Sequence, residues 1–271
     1  MASLRRFVKE RVSDCYRAYR AIAPVDLFTE KFRILMYHAV QQSDPSVDTM
    51  GLAVSPQVFS AHMGYLKDNG FDVIGLMDLV RMVQDRVSIP DKSIVITFDD
   101  GYRSVLENAL PVLHRYHFTA TVFVTISCIE NKLPHGSYWR DWPALTWDEV
   151  SVLRREGIAI GSHAVTHTML TRLSPDEAMR EIKDSKEIIQ NNLKEEVRSL
   201  SYPHGAFNKM VIDAVKKAGY RCACSSVHGT NGKDSDVFRL RRTEITAFDT
   251  ARNKFEAKLS GSHDWLGLVG R

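Results

Sequence analysis

Cysteine is scarce in this chain, and neither sign of charge is in large excess. Four cysteines are spread over 271 residues, and Cys222-Ala-Cys224 lacks the Cys-x2-Cys spacing of a zinc knuckle or a redox pair. We expect them to be buried as small apolar residues, as in proteins of a reducing compartment. The formal net charge is +3, and no basic run carries interleaved aromatics. Both features argue against nucleic acid as a partner.

Long hydrophobic runs are also missing near the start of the chain. The apolar residues there are too interrupted for the core of a signal peptide or for a spanning helix. They recur at helical spacing between Met1 and Ala21 among mostly basic residues, which predicts a basic amphipathic helix within residues 1–30. This helix either packs on the rest of the protein or a partner chain, or rests on an anionic membrane face. We expect a cytoplasmic protein, held at the inner membrane face in the second case.

The remainder shows no internal repeat, low-complexity run or second domain. With 44% hydrophobic and 25% charged residues, the whole chain has the composition of a soluble globular protein. Short runs rich in β-branched residues, such as 32–38 and 119–125, alternate with amphipathic stretches, which is typical of parallel βα units. Helices are predicted to begin at two capping pairs, Thr146 with Glu149 and Ser174 with Glu177. The sequence thus predicts an α/β domain over residues 31–250, followed by a helix and tail over 251–271.

An almost wholly apolar run at residues 93–98 ends in Asp99, Asp100 and Gly101. The run is typical of a strand buried on both faces in a parallel sheet. Two adjacent carboxylates at its end are costly to desolvate unless a positive charge lies between them. A divalent cation is the simplest such partner. An acidic turn that caps the next helix is the plainer alternative.

His163 and His167 follow a second strand-like run at residues 157–161. Their i, i+4 spacing predicts a helical turn with both imidazoles on one side. With one carboxylate they complete a two-histidine, one-carboxylate set, which holds a divalent ion and leaves one face open for water and substrate. Both motifs come just past strand ends, where α/β folds place their sites. We therefore predict a metal site.

These two stretches carry a family resemblance. Residues 97–101 (Thr-Phe-Asp-Asp-Gly) and 162–167 (Ser-His-Ala-Val-Thr-His) resemble the first two motifs of the polysaccharide deacetylases, carbohydrate esterase family 4 with its NodB homology domain. The resemblance implies a distorted (β/α) barrel and metal-dependent removal of N-acetyl groups from amino sugars. It implies that Asp99 is the general base and that Asp100, His163 and His167 are the metal ligands. Zinc is the default ion for this set, while iron, cobalt, nickel and manganese also suit it.

A third stretch, residues 198–205 (Arg-Ser-Leu-Ser-Tyr-Pro-His-Gly), is similar to a further motif of the family. The similarity implies that the backbone N–H of His204 binds the oxyanion, and that Tyr202 and His204 contact substrate. Ser201 stands where many members have the arginine that orients the base. The resemblance therefore leaves the partner of Asp99 open among three later arginines, Arg239, Arg241 and Arg242.

His38 ends the first predicted strand. Met36-Tyr37-His38 resembles the permuted arrangement of the poly-β-1,6-N-acetylglucosamine deacetylases, in which the strand bearing the general-acid histidine comes first. A closed barrel makes the first and last strands neighbours, so the permutation preserves the site. The resemblance implies that His38 is the general acid and Tyr37 a substrate-binding residue.

The resulting hypothesis is a metal-dependent hydrolase that removes N-acetyl groups from a polysaccharide or glycan precursor, such as an exopolysaccharide. Two alternatives stay open. One is a deformylase or other amide hydrolase acting on a lipid-linked amino sugar, which the basic N-terminal segment favours. The other is a carbohydrate-binding protein without activity, against which the paired aspartates and histidines argue, because binding alone does not need a costly Asp-Asp pair.

Overall fold

The computed structural model describes residues 30–44, 46, 48–130, 142–261 and 264 of the chain. The helix predicted within residues 1–30 lies outside the described residues. None of the helices in the described ranges combines the length with the apolar character that crossing a bilayer requires.

Seven parallel strands of the described residues close into a barrel. Residues 31–37 pair in parallel with residues 93–98 on one side and with residues 240–244 on the other, and these two pairings close the ring. The ring contains β1 (Lys31–Tyr37), β5 (Ser93–Phe98), β6 (Thr121–Val124), β7 (Ala159–Ser162), β8 (Ser199–Ser201), β9 (Cys222–His228) and β11 (Leu240–Glu244). The predicted (β/α) barrel and the neighbourhood of first and last strands are confirmed.

Four two-residue strands complete the sheets: β2 (Ala39–Val40), β3 (Ala53–Val54), β4 (Asp72–Val73) and β10 (Asn231–Gly232). The strand β4 pairs with the start of β5, while β6 pairs with its end. The sequence predicts a strand over residues 71–76, but the structure has a strand at Asp72–Val73 alone in this stretch, because the chain turns into a helix at Leu76. The β2–β3 pair lies directly after β1 and connects its carboxyl end to the first helix.

The described residues also form eight helices: α1 (Pro56–Asp68), α2 (Leu76–Gln84), α3 (Leu110–Tyr116), α4 (Ile126–Ile129), α5 (Trp147–Arg155), α6 (Pro175–Leu193), α7 (Lys209–Lys217) and α8 (Arg252–Leu259). Both predicted capping boxes are present, with side-chain and backbone bonds in each direction at Thr146–Glu149 and Ser174–Glu177. A wide π-type turn precedes α3, because Pro111 has no N–H and cannot continue a regular helix.

Strand alternation separates two apolar clusters. The outward residues of β1 and β5, such as Leu35 and Ile96, pack under the helices. The inward residues, such as Phe32 and Val95, pack with the apolar face of α2, which fills the amino-terminal end of the ring. Buried Arg33 points outward and binds Asp264 through two hydrogen bonds of 2.8 and 3.0 Å, which docks this part of the tail on the barrel. The three described cysteines are buried, as predicted.

Candidate active site

Asp99 and Asp100 follow the carboxyl end of β5, and the two residues are 3% and 2% exposed. The backbone N–H of Asp99 still donates to the Tyr37 carbonyl of β1 at 2.9 Å. The chain then turns sharply, with φ of +80° at Asp100 and +81° at Gly101. A Cβ at position 101 would lie 3.3 Å from Val124 of β6, so glycine lets the turn pack against the next strand. The turn keeps both carboxylates at the mouth of the barrel.

His163 and His167 lie in the loop after β7, and the predicted helical turn between them is wrong. Ala164 and His167 both have positive φ, which folds the loop back on itself. Glu181 of α6 holds this fold, because its carboxylate accepts hydrogen bonds from the N–H groups of Val165 and Thr166, each at 2.9 Å. The two imidazole rings nevertheless meet, with centroids 4.7 Å apart.

Three donor atoms converge at this point. Asp100 Oδ1 lies 3.4 Å from His163 Nε2 and 3.6 Å from His167 Nε2. Atoms that each lie about 2.1 Å from a shared ion in tetrahedral geometry are separated by about 3.4 Å. Asp100 Oδ1 is buried and accepts no hydrogen bond from the described residues. Within those residues the three side chains form a group that can hold a metal ion, and the orphaned oxygen fits that use.

A hydrogen bond on the side of the ring away from Asp100 sets the orientation of His163. Its Nδ1 lies 2.7 Å from the Ser201 carbonyl, and because a carbonyl only accepts, Nδ1 carries a hydrogen and Nε2 is the nitrogen that can bind a proton or a cation beside Asp100. Burial lowers the pKa of His163, but Asp99 and Asp100 outweigh it and raise the pKa above its usual value. The two carboxylates thus favour a positive charge here, which a proton on His163 or a bound cation supplies. Burial, together with His163 and His204, lowers the pKa of His167 to about 2, so this ring is neutral.

Asp99 is bound by an arginine rather than directed at the donor group. Arg242 donates to both carboxylate oxygens at 2.7 Å, and Ser201 Oγ donates to Oδ2 at 3.1 Å. Burial raises the pKa of the Asp99 carboxyl, but Arg242 and His163 outweigh burial and hold the pKa well below its usual range. Arg242 is fixed in turn by a 2.8 Å bond from Nε to the Ser225 carbonyl. Of the three arginines that the sequence left open, the structure brings Arg242 to Asp99.

The remaining predicted residues divide into two groups. His38, Tyr202 and His204 line the same cleft of about 240 Å³ as the aspartates and the histidine pair. His38 has its Nδ1 buried, which leaves Nε2 as the nitrogen on the cleft side. His204 is exposed, with a φ of +57° and its ring 4.6 Å from that of His167. The Tyr202 hydroxyl donates to the Phe238 carbonyl at 2.9 Å, so this hydroxyl is already engaged.

The structure does not bring Tyr37 to the cleft. Tyr37 is fully buried between the barrel and α1, where its hydroxyl lies 3.1 Å from His62 Nδ1 and its ring contacts Phe59 edge-on. Neighbouring residues of a strand point to opposite faces, so Tyr37 points outward when His38 points to the cleft. We therefore remove Tyr37 from the substrate-binding set.

A larger cavity lies away from these groups. It measures about 380 Å³ and is lined by the first residues of β6, β7 and β8, Thr121, Ala159 and Ser199, at the amino-terminal end of the ring. Carboxyl ends of parallel strands are the usual place of barrel active sites, and Asp99, Asp100, His163 and His167 are at that end. We therefore assign the smaller cleft as the candidate active site.

Comparison with known proteins identifies the family. A family model described as polysaccharide deacetylase matches residues 86–223, about half of the chain. The Bacillus subtilis protein YxkH, named as a polysaccharide deacetylase, is 30% identical over 216 residues, which cover 80% of this chain and 72% of that protein. The chain belongs to the polysaccharide deacetylase family. His38, directly after β1, and Arg242, on β11, lie outside the residues that the family model matches.

Other relatives of this deacetylase-family chain agree. The Staphylococcus epidermidis poly-β-1,6-N-acetyl-D-glucosamine N-deacetylase is 26% identical over 232 residues, which cover 80% of each protein. The structure of the Streptococcus pyogenes deacetylase PplD in complex with acetate superposes with a TM-score of 0.72 at 25% identity, covering 81% of this chain and 94% of that one. IcaB from Ammonifex degensii shares the fold, with a TM-score of 0.71 at 18% identity, covering 86% of this chain and all of that one.

Proposed function

We propose that this protein is a divalent-cation-dependent hydrolase that removes N-acetyl groups from amino-sugar residues of a polysaccharide. One observation carries the proposal: Asp100 Oδ1 lies 3.4 and 3.6 Å from the Nε2 atoms of His163 and His167, beside the arginine-bound Asp99. The poly-β-1,6-N-acetyl-D-glucosamine N-deacetylase named above supports N-acetylglucosamine as the sugar.

Asp100, His163 and His167 would hold the cation. Two imidazole nitrogens and one carboxylate oxygen suit Zn²⁺ best, while Fe²⁺, Co²⁺, Ni²⁺ and Mn²⁺ also accept this set. A divalent ion at such a site supplies Lewis acidity, which lowers the pKa of water from 15.7 to about 7 and polarises an amide carbonyl.

The chain's own residues then handle the protons. Asp99, kept ionised by Arg242, takes a proton from the attacking water as its oxygen bonds to the acetyl carbon. The backbone N–H of His204 donates a hydrogen bond to the acetyl carbonyl oxygen as negative charge develops there, a contribution of about 3–4 kcal/mol for a well-placed donor. His38 donates a proton to the nitrogen while the C–N bond breaks, because an amide nitrogen leaves poorly as an anion. The products are acetate and a free amine.

Acetate release from N-acetylglucosamine oligosaccharides tests the proposal. We expect release by the purified protein, loss of release with a chelator, recovery with added Zn²⁺, and little release by Asp99→Asn. The matched variant Asp213→Asn, which changes an exposed carboxylate on α7 paired with Lys209, should behave as wild type. Two results would overturn the proposal. One is release of formate from N-formyl sugars without release of acetate from N-acetyl sugars. The other is acetate release that survives complete removal of metal.

A further inference from the structure

Two exposed apolar side chains lie at the rim of the cleft. Met50 is 56% exposed and lines the cleft itself. Phe248, 59% exposed, packs against the next residue, Gly51, where the φ is +72° and an added Cβ would lie 2.8 Å from the Phe248 ring. Among the described residues, the other large apolar side chain exposed to this degree is Val87, which lies beside Arg86 and Lys233 away from the cleft.

The loops that carry Met50 and Phe248 are fixed. Buried Asp48 accepts hydrogen bonds from the N–H groups of Leu52 and Ala53 at 2.8 and 2.9 Å. Buried Asp249 accepts from the Thr246 N–H at 2.8 Å and binds Lys258, and the Ala247 N–H donates to the Gly51 carbonyl at 2.7 Å. Apolar side chains held out to water on fixed loops beside a cleft are typical of a binding surface.

Glu244 supplies a polar wall between this rim and the base. It lies two residues after Arg242 on β11, so both side chains face the cleft, and it is half-buried beside Met36. Arg242 is paired with Asp99. Burial lowers the pKa of Arg242, but Asp99 and, to a smaller extent, the nearby charge of Glu244 raise it. The Glu244 carboxylate itself forms no hydrogen bond or close ion pair with another of the described residues. A half-buried carboxylate is stabilised when a ligand brings it donors.

We propose that Glu244, Met50 and Phe248 form a second sugar subsite. This subsite binds a neighbouring sugar of the same glycan that has already lost its acetyl group and carries a free amine. The inference rests on the proposed function. The ammonium group bonds to Glu244, and the apolar C–H face of the sugar lies on Phe248 and Met50. A carboxylate only accepts hydrogen bonds, so it favours an ammonium, with three donors and a full charge, over an acetamido group with one. The cleft is continuous with the rim, so a chain whose reacting unit lies at Asp99 extends over this wall.

The consequence is that the enzyme's preference for partly deacetylated chains has a larger effect as the reaction proceeds. A unit that has lost its acetyl group makes its neighbour a better substrate, so free amines accumulate in blocks along the chain. The preference should weaken at high salt, because the ion pair is only half-buried.

The test compares kcat/KM for N-acetylglucosamine trisaccharides that are fully acetylated or carry one free amine at either end. We expect the wild type to prefer one of the mono-amine isomers by about tenfold, the scale of one hydrogen bond between charged groups. Glu244→Gln keeps the shape and should abolish the preference, whereas Val87→Ala should keep it. Phe248→Ala should lower the ratio of trisaccharide to monosaccharide kcat/KM by about tenfold.

Three results would overturn the subsite. They are a wild type without preference, an equal loss on all substrates in Glu244→Gln, and Phe248-dependent binding to phosphatidylglycerol vesicles without sugar selectivity. Calorimetric binding of the glucosamine trisaccharide, weakened about tenfold by Glu244→Gln, reports on the subsite without turnover. Tight, Glu244-dependent binding by a protein that releases no acetate would sustain the subsite and refute the proposed function.

Discussion

Arg242 binds both carboxylate oxygens of Asp99 at 2.7 Å from a strand 143 residues later in the chain. The pair is buried, and Ser201 bridges it by accepting from Arg242 at 2.8 Å while donating to Asp99. The geometry fixes the Asp99 carboxylate next to the donor group of Asp100, His163 and His167. It also keeps this carboxylate ionised, although burial alone would favour its protonated form.

Replacing Arg242 tests this relationship. Arg242→Gln leaves a buried carboxylate without its cation, which should cost about 3–5 kcal/mol of unfolding free energy. The loss of orientation should lower kcat about hundredfold, measured as acetate release at saturating substrate. Arg239→Gln is the matched control, because Arg239 pairs with Asp236 at the surface. A kcat that stays at the wild-type value in Arg242→Gln would show that Asp99 does not depend on this arginine.

Metal content tests the donor group directly. The wild-type protein should purify with about one divalent ion per chain, and His167→Ala with far less, because two donors hold an ion much more weakly than three. His114→Ala removes a half-exposed histidine of α3 and should retain the ion. Mass spectrometry of the purified proteins makes the comparison, and equal metal in wild type and His167→Ala would exclude His167 from the ligands.

Glu181 should matter for the ion without touching it. Its carboxylate holds the loop between His163 and His167 through three hydrogen bonds, two from backbone N–H groups and one from Thr166 Oγ1. Glu181→Ala should weaken cation affinity about 10–100-fold, as removal of supporting groups does at other metal sites. Glu187→Ala changes an exposed carboxylate on the same helix and should not. Titration with Zn²⁺ gives both affinities, and equal values would contradict the role of Glu181.

Acid should destabilise the protein through His62. Burial lowers the pKa of His62 to about 4, although Asp249 partly opposes it. An unfolded histidine has a pKa of about 6.5, so between pH 6.5 and 4 the unfolded state binds a proton that the folded state does not. The stability is full above pH 6.5 and falls by about 3 kcal/mol as the pH drops to 4. Urea unfolding across this window should show a shallower fall in His62→Gln, and parallel curves for the two proteins would contradict the assignment.

Much of the site followed from local sequence. The apolar run before Asp99 and the spacing of His163 and His167 predicted the donor group, although the helix between the histidines does not exist. Positive φ at Ala164 and His167 folds the loop so that the rings still meet, and such angles at non-glycine residues leave no clear sequence signal. The role of Glu181 depends on how α6 docks against the loop, which no local pattern specifies.

Strand alternation explains which arginine binds Asp99 and why Tyr37 does not reach the cleft. Leu240, Arg242 and Glu244 share the inward face of β11, so one arginine of the three reaches Asp99. The same rule makes Tyr37 and His38 point to opposite sides of β1. The sequence carried this signal, and applying it to residues 32–38 would have excluded Tyr37 from the cleft.

The seam at β1 has a consequence for how the protein is made. β1 is translated before the other ring strands. The edge of β1 that pairs with β11 cannot complete its hydrogen bonds until residues 240–244 have emerged from the ribosome. During that interval the nascent chain exposes an unpaired strand edge of the kind that chaperones bind and that promotes aggregation. Arg242 arrives with the same closing strand, so the charge of Asp99 is neutralised at the moment the ring is sealed.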